Sequence, residues 1–269
     1  MAEALRQVNE GQRELRTAIG WADSEHIYVR GQSLTEELMG KASYTQVVFL
    51  ALTGRFPTEA ETQLLDAVLV SLVDHGLNVS TVAARVTYSI APEAIQAAVA
   101  AGLLTAGSLV LGAMENCGKL LSEIARRADR GEDTVAVTRV LVEEHVRSGR
   151  RIPGLGHTVH RRGDPRAERL MGLAEELGFN RRYLQLLRQL QAEAERATGR
   201  SLPINVTGAI AAVLLEMGFE WPILRGFALI SRVGGLVAHV QEERHTPITP
   251  AYRRLILSQA GAQDESGRG

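Results

Sequence analysis

At 269 residues the chain is long enough to bury a large core, as one big domain or two unequal ones. A hydrophobic content of 45% is ordinary for a globular protein, and a formal net charge of −1 leaves no overall field to draw it to nucleic acid or a membrane. Cys117 is the only cysteine, which excludes an intramolecular disulfide and a cysteine metal cage.

No apolar run reads as long enough to span a bilayer. The polar opening MAEALRQVNEGQREL lacks the apolar stretch of a secretion signal, so a cytoplasmic location is expected. Lys41 and Lys119 are the only lysines, so the positive charge is almost all arginine, the side chain suited to bidentate contacts with carboxylate and phosphate.

The first segment with a shape is HIYVRGQSL, from His26 to Leu34. It alternates and then turns at Arg30-Gly31, as a short hairpin does. Helices dominate from Leu34 onward. SLTEELMGKA opens on Ser33 or Thr35 as N-cap, and SYTQVVFLALTG has Ser43 as a cap and Gly54 as a stop. FPTEAETQLLDAVLVSLVDHG begins at Pro57-Thr58 and ends at Gly76, with Leu64, Leu65, Val68, Leu69 and Leu72 at helical spacing. NVSTVAARVTYSI follows. The stretch from Ala91 to Ala128 is rich in Ala, Gly and Ser, which let helices approach closely.

Composition changes near Ala128, where a charged amphipathic helix leads into RRIPGLGHTVHRRGDPR (Arg150–Arg166). Pro153, Gly154 and Gly156 break the helix there, and glycine lets backbone N–H groups come close to a ligand. Asp164-Pro165 reads as the N-cap and first position of the next helix. Two more charged helices follow, before apolar sequence returns at LPINVTGAIAAVLLEMGF and continues through EWPILRGFALISRVGGLVAHVQEE. The reading is an all-α protein. A smaller, charged helical domain at 118–204 is inserted between the two parts of a larger one, 1–117 and 205–269. The His157 loop then faces the cleft, where ligands commonly bind.

Taken singly, the polar positions near this cleft have modest explanations. His75 suits the C-terminus of a helix, Asn205 or Thr207 an N-cap, and Arg232 a surface ion pair. His239 with Glu242 and Glu243 has metal-ligating residue types, but acids at a helix end are commonly solvated, and no metal is expected.

Together and in this order, IYVRG, VDHGLNVST, GLLTAGSLVLGA, PGLGHTVHRRGDPRA, INVTGAIAAVLLEMGF and SRVGGLVAH resemble segments of the citrate synthase superfamily. The likeness runs over roughly residues 20–250 and is strongest to its citryl-CoA lyases, both stand-alone and as the lyase module of ATP-citrate lyase. It implies an all-α fold with an inserted small domain, an acyl-CoA substrate whose coenzyme A is not a resident cofactor, and a homodimer or larger homo-oligomer. His75 matches the histidine of a DHE or DHG motif that contacts the hydroxy-acid part of the substrate. His157 matches the GFGH histidine that polarises the oxygen at the reacting carbon. Arg166 and Arg232 match arginines that hold substrate carboxylates. Arg151, Pro153, Gly154, Leu155, Gly156 and Arg162 fall where the family lodges coenzyme A.

Two positions depart from the pattern. Val110 stands where synthases carry a histidine that stabilises the acetyl-CoA enol, a histidine the lyase module also lacks. Thr207 stands where the family's NVDG or NVDF aspartate moves the proton at the acetyl carbon. A hydroxyl cannot serve as that base near neutral pH. The resemblance therefore implies a carbon–carbon lyase acting on a citryl-CoA-like substrate, with thioester hydrolysis in the same pocket or coenzyme A-ligand binding without catalysis as alternatives.

Overall fold

A computed structural model describes residues 17–107, 112–156, 163–179 and 181–265. Contacts divide the chain into two units, Met1–Gln63 and Leu64–Gly269.

In the first unit, β1 (Gly20–Ala22), β2 (Ile27–Val29) and β3 (Gln32–Ser33) form a three-stranded antiparallel sheet in sequence order. Arg30 and Gly31 join β2 to β3 with φ of 50° and 84°. Positive φ at both positions is what a two-residue hairpin turn of matching twist requires. The strained Arg30 is held by its side chain, whose Nε and Nη2 donate to the Ala51 carbonyl at 2.9 and 2.8 Å. The hairpin is thus as the sequence indicates, and β1 is an addition to it.

Ser33 then caps a single π turn, Leu34–Leu38. Helix α1 (Tyr44–Thr53) starts at a reciprocal capping box between Ser43 and Gln46 and stops at Gly54, with φ of 81°. Glu61 receives two hydrogen bonds from Arg55 and one from the Thr58 N–H, while the Thr58 hydroxyl accepts from the Glu61 N–H. That pair of bonds starts α2 (Glu59–Leu72).

The second unit contains only helices as regular elements among its described residues. Leu64, Leu65 and Val68 of α2 are fully buried. After it come α3 (Val79–Ile90), α4 (Ile95–Leu104), α5 (Gly112–Ala128), α6 (Thr134–Arg147), α7 (Pro165–Glu176), α8 (Tyr183–Thr198), α9 (Val206–Glu216), α10 (Leu224–Glu243) and α11 (Thr249–Glu265), with a 3-10 turn at Trp221–Ile223. Asn78, Asp133, Asp164 and Asn205 cap α3, α6, α7 and α9 by accepting backbone N–H groups.

Helix α9 is apolar on every side, and residues 208–215 are all buried, as expected of a helix enclosed by others. It packs against α5, α7 and α8, while α6 packs on α5 and α8. Helix α10 packs against α3, α4 and α5. Its far end is tied to α3 by Arg85, which is 2% exposed and binds Glu242, Glu243 and the Thr246 carbonyl. The stretch expected as the smaller domain, 118–204, and residues 64–117 and 205–265 all lie in this unit.

Three elements differ from the sequence reading. Helix α2 ends at Leu72, not Gly76, because the Asp74 carboxylate takes the Gly76 N–H and turns the chain. The tail forms α11 through to Glu265, although the residues after Ser258 are polar enough to read as a frayed end. Trp221–Glu243 is long and apolar enough to cross a membrane by length and composition, although no such run is apparent when its arginines are counted as breaks. In the structure Leu224, Phe227, Ala228, Leu236 and Val240 of that segment are buried in the core.

Candidate functional site

The ends of four helices and the middle of a fifth meet at a cavity of about 300 Å³. Ser71, Leu72, Asp74 and His75 come from the end of α2, and Asn78, Val79 and Ser80 from the start of α3. Arg166 lies in the first turn of α7, Asn205, Val206 and Thr207 at the start of α9, and Arg232 on α10. Four of the residues expected to act together, His75, Arg166, Thr207 and Arg232, therefore line one space. His157 and Arg162, together with Val110, lie outside the described residues.

The cavity is built for an anion. Three helix N-termini open toward it, each a locus of partial positive charge, and two guanidiniums line it. Arg166 is preset by a bidentate pair with Asp164, at 3.1 and 3.0 Å. Asp164 is 1% exposed. Besides capping α7 it accepts the backbone N–H of Val206 at 3.0 Å, which fastens the start of α7 to the start of α9. Burial pushes its carboxyl up, but the bonds from Arg166 and Val206 outweigh this and hold it below the ordinary value.

Arg232 is not in the surface ion pair that its isolated sequence context allows. It is half-buried, and its Nη1 is buried without a hydrogen-bond partner. Burial lowers its affinity for the proton, with the Asp74 carboxylate opposing. A buried guanidinium nitrogen with no partner is costly, and a ligand carboxylate would satisfy it.

His75 is exposed, three residues past the end of α2, on a turn held at both ends. Asp74 Oδ2 accepts the Gly76 N–H at 2.7 Å. The Gly76 carbonyl accepts from Asn78 Nδ2 and Thr81 Oγ1. Asp74 Oδ1 accepts His239 Nε2 at 2.9 Å. Burial raises the Asp74 carboxyl, and the N–H groups of Gly76 and His75 with the His239 ring bring it below its ordinary value. His239 is therefore committed to Asp74, and Glu243 to Arg85, rather than to a shared ion.

Thr207 lies at the second position of α9, and its Oγ1 donates to Asn205 Oδ1 at 2.6 Å. The same oxygen accepts the Gly208 N–H, while Asn205 Nδ2 donates to the Gly156 carbonyl at 2.8 Å. Asn205 thus links this cavity to the Pro153–Gly156 loop. That loop runs antiparallel to residues 203–205: the Gly156 N–H donates to the Pro203 carbonyl, and the Asn205 N–H to that of Gly154. The Gly156 N–H is consequently not available to a ligand, contrary to what a glycine-rich loop suggests, because the loop is paired along its length. Gly154, at φ of 83°, packs against Gly208 and Cys117. Burial pushes the Cys117 thiol up to about 12, so it is inert packing.

On its other side the loop lines a larger pocket, of about 810 Å³. Ile152, Leu155 and Leu202 form apolar wall, and Arg150, Arg151 and Arg200 supply positive charge. Of the residues expected to hold coenzyme A, Arg151, Leu155 and Gly156 line this pocket, while Pro153 and Gly154 do not. The sequence shows Asn205 and Asp164 only as caps, and gives no sign of Arg200 or of the His239–Asp74 pair. Asp74 adjoins His75 in the sequence, so only its partner was beyond reach, 165 positions away.

The sequence and the helical fold match known proteins. Residues 26–253 match the family model described as citrate synthase, C-terminal domain. The chain belongs to the citrate synthase family. Citryl-CoA lyase from Hydrogenobacter thermophilus superposes with a TM-score of 0.78 at 37% identity, covering 87% of this chain and 88% of that one. Citrate synthase from Thermoplasma acidophilum, in ternary complex with carboxymethyl coenzyme A and oxaloacetate, superposes with a TM-score of 0.63 at 26% identity over 76% of this chain and 54% of its own. The citrate synthase of Haloferax volcanii is 30% identical over 194 residues, 71% of this chain and 49% of its own length. The chain spans about half the length of the curated relatives it matches.

Proposed function

We propose that this chain is a carbon–carbon lyase that cleaves a citryl-CoA-like 3-hydroxy-acyl-CoA into an acyl-CoA and an oxo acid. The observation that carries the reading is the adjacency of two pockets through one side chain. Asn205 lines the carboxylate-sized cavity and bonds to Gly156, which lines the arginine-bearing pocket. A substrate with a polycarboxylate head and a long phosphorylated tail needs such a pair. The likeness of nearly full length to a citryl-CoA lyase supports the same choice.

On this reading Arg166 and Arg232 hold the carboxylates. Coenzyme A, a part of the substrate, lies along Arg151, Leu155 and Gly156 with its phosphates near Arg150 and Arg200. His75 or His157 takes the proton of the tertiary hydroxyl. The C–O bond becomes a carbonyl as the neighbouring C–C bond breaks, and the electron pair passes to the acyl carbon as an enolate, which then gains a proton. The division into 1–117, 118–204 and 205–269 belongs to this proposal, as the means of closing the pockets over the substrate. So does a homodimer.

One observation favours thioester hydrolysis instead. Asp74 is the only carboxylate among the described residues lining the cavity, and its oxygens are engaged. Thr207 spends its hydroxyl proton on Asn205, so neither Thr207 nor the one described carboxylate of the lining is free to move the enolate proton. Incubation of the pure protein with citryl-CoA, followed by mass spectrometry, decides. Oxaloacetate with acetyl-CoA supports the lyase, and citrate with free coenzyme A replaces it by a hydrolase. Saturable binding without turnover leaves a binding protein.

A further inference from the structure

Asp74 and Arg232 carry opposite charges and line the same small cavity, yet the Arg232 Nη1 has no partner. Both Asp74 oxygens are occupied elsewhere, Oδ1 by His239 Nε2 at 2.9 Å and Oδ2 by the Gly76 N–H at 2.7 Å. We propose that His239 is a positioning residue that keeps the Asp74 carboxylate away from Arg232, so that Arg232 remains free for a ligand carboxylate. This rests on the reading of the cavity as a carboxylate site.

The geometry of α10 supports it. Arg232 and His239 are seven residues apart, two turns along one face of the helix. Between them lies Gly235, where an added Cβ would overlap the Val73 carbonyl oxygen. With Gly235 the helix backbone lies directly on the end of α2, which sets the reach from the His239 ring to Asp74. The ring is only 11% exposed, with Asp74 at Nε2 and Glu242 Oε2 3.8 Å from Nδ1. A carboxylate at Nε2 selects the tautomer with the proton on that nitrogen, so the ring donates to Asp74. Without that donor, Asp74 Oδ1 would be left with Arg232, on which its charge already acts, as a counter-charge in the cavity. An internal ion pair would then compete with the ligand and reduce apparent affinity by the fraction of the free state left.

The full chain is tested as wild type, His239→Ala, His239→Gln, and His239→Ala combined with Asp74→Asn. Each is checked for folding by circular dichroism and titrated with citrate by calorimetry. His239→Ala should weaken citrate binding by ~10-fold or more and raise KM for citryl-CoA while kcat at saturation changes little. His239→Gln keeps an N–H donor and should bind nearly as wild type. The double variant should regain affinity, because a neutral amide does not compete for the guanidinium as a carboxylate does. Loss of packing alone would leave the double variant as weak as His239→Ala, and that result overturns the proposal, as does citrate binding by His239→Ala equal to wild type. Wild type that neither binds citrate nor turns over citryl-CoA counts against the proposed function. The role of His239 is then decided by crystal structures: an Asp74–Arg232 contact in His239→Ala but not in wild type upholds it, and an unmoved Asp74 refutes it.

Discussion

Replacement of Thr207 by aspartate would put a carboxylate at the start of α9, and its outcome follows from three hydrogen bonds. Asn205 Oδ1 accepts from Thr207 Oγ1 and from the Gly208 N–H, and Asn205 Nδ2 is committed to the Gly156 carbonyl. An ionised carboxylate has no proton to donate, and the amide cannot flip to meet it without losing two bonds. The new side chain must therefore turn from Asn205 into the cavity, toward Arg166 and Arg232. Loss of one hydrogen bond costs about 1 kcal/mol, and a negative charge at a helix N-terminus returns about 0.3–1 kcal/mol. Stability should thus fall by less than roughly 1 kcal/mol, a Tm change of ~2–4 °C at this size. The guanidiniums and the helix terminus favour the ionised form, which is the form a base needs. A placed general base contributes ~10²–10⁴-fold, so even a tenfold gain, about 1.4 kcal/mol of barrier, uses a small part of what is available. The assays are citryl-CoA cleavage, followed by reduction of the oxaloacetate released, and exchange of the acetyl-CoA methyl protons with deuterium oxide. Exchange that stays at the wild-type level, with citryl-CoA binding intact and Tm within a few degrees, would refute the reasoning and move the choice toward hydrolysis or binding alone.

Three further outcomes are expected. Gly154→Ala combines a φ of 83° with a Cβ placed 2.5 Å from Cys117 Sγ and 2.9 Å from the Gly208 Cα; left-handed strain of ~1–2 kcal/mol and overpacking of ~1–3 kcal/mol should lower Tm by several degrees, and an unchanged melting curve would contradict this. Glu243 is 4% exposed, and although burial raises its carboxyl, the N–H groups of Ile248 and Thr249 with Arg85 and Ser89 bring it from 4.5 to about 2. A depressed folded-state value means stability that is present above about 4.5 and lost as pH falls toward about 2, worth roughly 3 kcal/mol. Urea unfolding of the wild type should therefore weaken more steeply between pH 5 and pH 3 than that of Glu243→Gln, and parallel slopes would show the group to be unimportant. Finally, Leu77, Val79, Ile90 and Leu104 are 61%, 67%, 79% and 85% exposed. Together with the small-residue faces of α4 and α5, they predict a homodimer, which light scattering at low micromolar concentration should detect and a folded monomer would exclude.

Local rules were the legible part of the fold. Ser43, Thr58 and Asp164 announce helix starts, Gly54 a stop and Arg30-Gly31 a turn, because each is set by its own backbone and near neighbours. The end of α2 was not legible, since it depends on a hydrogen bond from Asp74 and on α10 lying against Val73. Within the site, His75, Arg166, Thr207 and Arg232 could be grouped because an entire order of motifs points to them. Arg200 could not, as one arginine after a glycine resembles any exposed arginine until Arg150 and Arg151 are seen beside it. The His239–Asp74 contact and the free Arg232 nitrogen arise from packing between distant segments, for which no spacing rule exists.

The antiparallel pairing of the 153–156 loop with residues 203–205, closed by Gly154 lying on Gly208, has a consequence for engineering. These two segments, some fifty positions apart, have to be exchanged as a single cassette. A library that diversifies the loop to accept a different thioester tail would, wherever Gly154 changes, also displace the peptide that carries Asn205 and Thr207. Variation in tail preference would then be inherited together with variation in the handling of the carboxylate head. Recombination breakpoints between related enzymes should accordingly be tolerated outside 153–208 and penalised within it.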